Sequence, residues 1–99
     1  MTHLRLWRFV VPPECEERFV AAYRSDGDWA KLFATARGFI RTELWRADDG
    51  SFLTADHWNS LDDFERFQAN LGDEYRRLDE ELEGVSGIET FIGAFDLAD

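Results

Sequence analysis

Two carboxylates and one guanidinium stand among aromatic residues in the middle of this chain. Glu43 lies in Arg41-Thr42-Glu43-Leu44-Trp45, and Asp56 in Phe52-Leu53-Thr54-Ala55-Asp56-His57-Trp58. A carboxylate stripped of water is harder to ionise, and its pKa climbs toward the range where a general base works at neutral pH. Arg41 can hold a substrate anion or a developing oxyanion. Trp7, Trp45, Trp58 and Phe52 offer flat apolar walls. The same charges also make a plainer arrangement, Arg41 paired with Glu43 or Asp56 to steady an interface, and both readings stay open at this stage. His57 is the other natural base, and His3 lies near the free end. Neither has zinc-like spacing to a second ligand, there is no HExxH, and no metal is assigned. Cys15 reads as a packing residue, and Gly27 belongs to no phosphate loop.

These side chains must be carried by elements that the sequence marks clearly. His3 to Val11 is β-rich and stops at Pro12-Pro13, which cannot continue a strand ladder. Pro13 suits a first helical turn, and Glu14, Glu16 and Glu17 favour the positive helix start. Phe19, Val20 and Tyr23 continue that helix. Ser25-Asp26-Gly27-Asp28 breaks it, and Asp28 caps a second short helix from Trp29 to Arg37, ended by Gly38. Two strands follow, Phe39 to Ala47 and Ser51 to Asn59, joined at Asp49-Gly50 by a two-residue type I′ turn. Ser60 caps a long helix whose apolar stripe runs through Leu61, Phe64, Phe67, Leu71, Tyr75, Leu78 and Leu82. Gly72 is positioned to bend it. The acidic run Asp79-Glu80-Glu81 with Glu83 reads as a solvated helix face. Gly84 to Gly87 ends the helix, and Ile88 to Leu97 forms a last strand.

The order β-α-β-β-α-β predicts an α+β, ferredoxin-like fold: one domain over residues 1–99, with a four-stranded antiparallel sheet and helices on one face. A two-residue turn at Asp49-Gly50 pairs Leu44 with Ala55 and Thr42 with His57. That register puts Ile40, Thr42, Leu44, Leu53, Ala55 and His57 against the helices. Arg41, Glu43, Trp45, Phe52, Thr54, Asp56 and Trp58 then share the other face, with His57 turned away from them. The first strand is also two-sided, Leu4, Leu6 and Val10 against Trp7, Phe9 and Val11. Helices cover one side only, so the pattern predicts a homodimer in which two sheets meet. A face that mixes Trp and Phe with ionic groups reads as the wall of a small-molecule cavity.

Composition removes several function classes. The chain has 11 basic against 21 acidic residues and a formal charge of −10, which opposes nucleic acid and anionic membrane as partners. No apolar run approaches the roughly 18 residues of a membrane span. A single cysteine allows no intramolecular disulfide and points to a reducing, cytoplasmic setting.

Gly27-Asp28-Trp29-Ala30-Lys31-Leu32-Phe33, Gly38-Phe39-Ile40-Arg41-Thr42-Glu43-Leu44 and Asp56-His57-Trp58-Asn59-Ser60, in this element order, resemble the antibiotic biosynthesis monooxygenase-like proteins of the dimeric α/β barrel superfamily. The resemblance spans nearly the whole chain. It implies a homodimer with a cavity between sheet and helices, and an activity among cofactor-independent oxygenases of phenolic compounds, haem-degrading enzymes and small-molecule isomerases. Trp58 matches the cavity tryptophan of several such enzymes. Haem degradation is disfavoured, since the stretch from Phe64 to Leu71 holds no histidine and Gln68 stands nearest the ligand position. Thr54 and Phe64 stand where the oxygenases often have Asn and Tyr. The resemblance thus implies a cofactor-free monooxygenase acting on a phenolic or quinone-like molecule. In it Asp56 or Glu43 is the base, Trp58 a catalytic-site residue, and Trp7, Arg41, Trp45, Phe52 and Thr54 bind substrate. The alternatives are a non-catalytic dimeric binding or stress-response protein, or an isomerase or cyclase on the same fold.

Overall fold

The computed structural model describes all 99 residues. Strand β1 (His3–Val10) leads through a single 3₁₀ turn (Pro13–Cys15) into α1 (Glu16–Tyr23) and then α2 (Asp28–Phe33). β2 (Phe39–Arg46) and β3 (Phe52–Trp58) form a hairpin, followed by α3 (Leu61–Glu81) and β4 (Ile88–Asp96). All strand pairs are antiparallel and the sheet order is β2-β3-β1-β4. The fold is the ferredoxin-like arrangement expected from the sequence.

Local chemistry explains most boundaries. Ser60 caps α3 as expected: the Asp63 amide donates to its Oγ at 3.1 Å, satisfying one of the backbone donors left free at a helix start, and that hydroxyl donates in turn to the Asp63 carboxylate at 3.0 Å. The helix is interrupted at Leu71 (φ −121°, ψ 23°), one residue before the glycine read as a bend. α2 stops at Phe33, short of Arg37. There the Thr35 amide and hydroxyl both reach the Leu32 carbonyl, and the Ala36 amide reaches Phe33, so the backbone tightens into i→i+3 turns that do not propagate.

The hairpin departs from expectation, and the consequence is large. Gly50 has φ +87° while no non-glycine residue in the chain has positive φ, so Asp49 cannot occupy the first central position of a type I′ turn. The loop is instead three residues long: the Gly50 amide bonds the Ala47 carbonyl at 3.0 Å, and Ala47 closes on Ser51 at 2.8 Å. A type I turn followed by a left-handed glycine is the common three-residue solution. Asp49 is recruited elsewhere, accepting from the Ser51 amide (2.9 Å) and hydroxyl (2.5 Å) and from Arg8 of β1 (2.9 Å).

The extra loop residue moves the register by one. Thr42 pairs with Asp56 and Leu44 with Thr54, not with His57 and Ala55. One step of slip exchanges the faces of a strand relative to its partner, so the expected grouping is corrected. Phe52, Thr54, Asp56 and Trp58 share a face with Thr42, Leu44 and Arg46, and across β1 with His3, Arg5, Trp7 and Phe9. This is the face the helices cover. Its core joins Phe9, Phe52 and Trp58 to Phe19 and Tyr23 of α1, Trp29 and Phe33 of α2, and Phe64 and Phe67 of α3. Arg41, Glu43 and Trp45 lie on the opposite, bare face with Leu53, Ala55 and His57.

Candidate active site

A narrow cleft of about 50 Å³ opens between the covered face of the sheet and the helices, room for a few water molecules. Trp7 and Phe9 of β1 form one wall, and Tyr23 of α1 with Trp29 and Phe33 of α2 form the other. Asp56 enters from β3 and Tyr75 from α3, while the exposed Asp79 and Glu89 stand at its edge. The Trp29 ring lies 4.9 Å from Tyr75 and 6.0 Å from Tyr23, centroid to centroid, so α1, α2 and α3 meet over the carboxylate through aromatic contacts. The buried Trp29 indole N–H in this wall has no hydrogen-bond partner.

Asp56 is the unusual group. The residue keeps some exposure, but its carboxyl is surrounded by protein, and that burial pushes its pKa from 3.8 up to about 6. Three influences oppose the shift without cancelling it. The Thr42 hydroxyl donates to Oδ1 at 2.5 Å, and the positive charges of Arg5 and His57 favour the ionised form. A carboxylate in this state takes up and releases a proton near neutrality, the property a general base requires. The phenols beside it do the reverse. Burial, then the charges of Asp79, Glu89 and Asp56, raise the Tyr75 pKa to about 12, and burial raises Tyr23 further. Both stay protonated and can only donate or accept neutral hydrogen bonds at physiological pH.

Of the residues singled out in the sequence, Trp7 and Asp56 line the cleft. Thr54, Phe52 and Trp58 share their face but sit in the core. Trp58 is fully buried among Phe33, Phe39, Phe64 and Phe67, and Phe52 lies under the Arg46 guanidinium at 4.5 Å. Arg41, Glu43 and Trp45 are separated from Asp56 by the thickness of the sheet. Glu43 accepts from Arg41 Nε at 3.4 Å and bonds His57 Nε2 at 2.8 Å. The His57 hydrogen bond is the first reason its pKa falls below the ordinary carboxylate value. Arg41 thus pairs with Glu43, one of the two partners the sequence offered it, on the face away from Asp56. His57, expected against the helices, faces outward.

Sequence reasoning missed Tyr23, Trp29 and Tyr75, which read as members of apolar helix stripes, and took Asp79 only for part of a solvated face. The available signal was their polar tips. Tyr and Trp seek a hydrogen-bond partner when buried, and the chain places three of them on helices that must converge on one sheet.

The family model for antibiotic biosynthesis monooxygenases matches residues 3–81, which include every cleft residue except Glu89. This chain belongs to the antibiotic biosynthesis monooxygenase family. Among solved structures, this family member is similar to SnoaB, a cofactor-independent oxygenase from Streptomyces nogalater, at 25% identity, with 99% of this chain and 94% of that one covered and a TM-score of 0.73. The ActVA-Orf6 monooxygenase of Streptomyces coelicolor, in complex with nanaomycin D, aligns at 18% identity over 98% of this chain and 88% of that one, with a TM-score of 0.72. Rv0793 from Mycobacterium tuberculosis aligns at 13% identity over 100% and 97%, with a TM-score of 0.67. The last two likenesses concern the fold alone. No curated protein matches the chain, and no helix is long and apolar enough to cross a membrane.

Proposed function

We propose that this chain is a cofactor-independent monooxygenase of an electron-rich aromatic small molecule, a phenol or hydroquinone, working in the sheet–helix cleft with Asp56 as its base. One observation carries the reading: a carboxyl with proton affinity near neutrality stands at the bottom of an aromatic-walled cleft, in a family whose likeness here includes a cofactor-independent oxygenase.

In this reading the substrate is its own reductant. Asp56 takes the phenolic proton, leaving an electron-rich anion. That anion gives electrons to dioxygen and forms a carbon–oxygen bond, producing a hydroperoxide. Asp56 gives the phenolic proton to the peroxide to complete that hydroperoxide. It then removes the hydrogen of the peroxide-bearing carbon as the O–O bond breaks and passes it to the departing hydroxide, so that water leaves and a quinone remains. One oxygen atom stays on the ring and the other leaves as water, so no outside electron donor is needed. Trp7, Trp29 and Phe33 keep bulk water from the intermediate. The cleft is smaller than the roughly 300 Å³ at which small-molecule pockets begin, so a ring system enters by displacing side chains, and Tyr75 and Asp79 lie beyond the interruption in α3.

The bare face supplies the second half of the proposal, a homodimer joined sheet to sheet. Val10, Trp45, Ile88 and Phe95 are 42–68% exposed in the single chain, more apolar surface than a soluble monomer ordinarily leaves uncovered. The cleft lies on the other side, complete within one protomer.

Oxygen uptake with a panel of phenols, anthrones and quinols tests the chemistry. Asp56→Asn is expected to lower kcat/KM by about 10²–10⁴-fold, while Glu43→Gln, on the far face, leaves it unchanged. Undiminished uptake in Asp56→Asn overturns the assignment of the base. Ligand-induced thermal stabilisation without oxygen consumption points instead to a binding protein.

A further inference from the structure

Arg5 stands directly across the β1–β3 ladder from Asp56, yet it does not close on it. Within 4.0 Å of the Arg5 guanidinium there is no carboxylate oxygen of any residue. Its charge is held elsewhere: 3.9 Å from the centre of the Phe64 ring, 4.9 Å from that of Phe91, and at a long 3.4 Å from His3 Nε2. Cations are attracted to ring faces at these distances, so the two phenylalanines and the imidazole form a cradle.

A guanidinium only donates, so the imidazole tautomer that serves both contacts has His3 Nε2 accepting from Arg5 and Nδ1 donating to Asp96 Oδ1 at 2.9 Å. His3 is buried and Asp96 half-exposed, so a chain of polar contacts runs from the outer end of β4 through His3 to Arg5, beside the cleft.

We infer that Arg5 is a positioning residue for Asp56: the cradle of His3, Phe64 and Phe91 keeps its charge close enough to favour the carboxylate and too far away to capture it. The inference rests on Asp56 being the base. An ion pair in direct contact would hold the carboxylate ionised and make it a poor proton acceptor. Without that cation, only the Thr42 hydroxyl and His57 oppose the effect of burial, and a smaller share of the carboxyl is ionised at neutral pH. The remaining groups that face Asp56 do not supply a cation. They are Thr42 from β2, Tyr23 from α1, Tyr75 and Asp79 from α3, and Glu89 from β4, while His57 follows on the opposite side of β3.

The test is a titration of the Asp56 carboxyl by carbon-13 NMR, with thermal unfolding measured alongside. Arg5→Met keeps the length and loses the charge, and is expected to move the midpoint upward by about one pH unit. Arg5→Lys keeps the charge and leaves the midpoint near its place. Phe91→Ala, at a half-exposed site that tolerates truncation, frees the guanidinium to approach Asp56 and moves the midpoint down. Opposite signs for Arg5→Met and Phe91→Ala are what a merely structural Arg5 does not produce. An unmoved midpoint in Arg5→Met, or equal shifts in the Met and Lys variants, overturns the inference. If Arg5→Met does not fold, an unmoved or rising midpoint in Phe91→Ala does the same. None of this needs a substrate, so a wild-type protein that consumes no oxygen would sink the oxygenase reading and leave the titration result standing. Where turnover is present, the acid limb of the kcat/KM profile follows the NMR midpoint in each variant.

Discussion

Asp56 and Glu43 lie on neighbouring strands and on opposite faces of one sheet, and their surroundings push them in opposite directions. On the covered face, loss of water raises the Asp56 pKa to about 6. On the bare face, His57 and Arg41 hold Glu43 below the ordinary value. The aromatic residues divide in the same way. Trp58 is 0% exposed among the helices and Trp45 is 56% exposed on the far side. Residue type therefore does not decide which carboxylate can act as a base or which tryptophan is core; the layer above it does.

The sharpest way to break this comparison is to truncate the two tryptophans. Trp58→Ala is expected to cost about 3–5 kcal/mol in denaturant unfolding, because a large ring is removed from a closely packed core. Trp45→Ala should leave the stability of the protomer within about 0.5 kcal/mol and instead weaken dimer association in sedimentation equilibrium. Equal losses in the two variants would mean that the bare face is as much a core as the covered one.

The carboxylates give a second contrast, in pH dependence. Asp56 binds its proton more tightly folded than unfolded, so its cost to stability is absent below pH 4 and grows as pH rises through the window from 3.8 to about 6. Two pKa units correspond to about 3 kcal/mol. Asp56→Asn is thus expected to stabilise the fold at pH 7 by up to about 3 kcal/mol, with the gain vanishing at pH 4, as followed by thermal unfolding. For Glu43 the sign is reversed: its contribution is present at neutral pH and is lost on acidification. Thr42→Val completes the contrast: loss of its hydroxyl removes one hydrogen bond worth about 1.5–3 kcal/mol to the charged form, and it should raise the Asp56 midpoint seen by NMR.

How far the sequence revealed this molecule can be traced to single residues. The element order, the Ser60 cap and the bend beside Gly72 were legible because they depend on local chemistry within a few residues. Which face carried what was not. Asp48-Asp49-Gly50 admits a two-residue or a three-residue loop, and the choice depends on Asp49 reaching Arg8 on a strand about forty residues away. β3 gave no warning, since Phe52, Thr54, Asp56 and Trp58 alternate with Leu53, Ala55 and His57 and either set makes a plausible inner face. Trp7 and Asp56, two of the residues that the sequence singled out, line the cleft. Arg41, Glu43 and Trp45 joined them only through the one-residue slip. Tyr23, Trp29 and Tyr75 come together by topology alone, over more than fifty residues of chain.

The interruption at Leu71 also changes what the residues after it are. Asp73 and Glu74 would be ordinary mid-helix acids on an unbroken rod. Behind the break they become the opening charges of a second helical segment, where the positive end of its dipole favours them. Phe64 and Phe67 fasten the first segment to the core, and Leu78 and Leu82 pack the end of the second on it, so the change of direction at Leu71 aims Tyr75 at the cleft with both segments anchored.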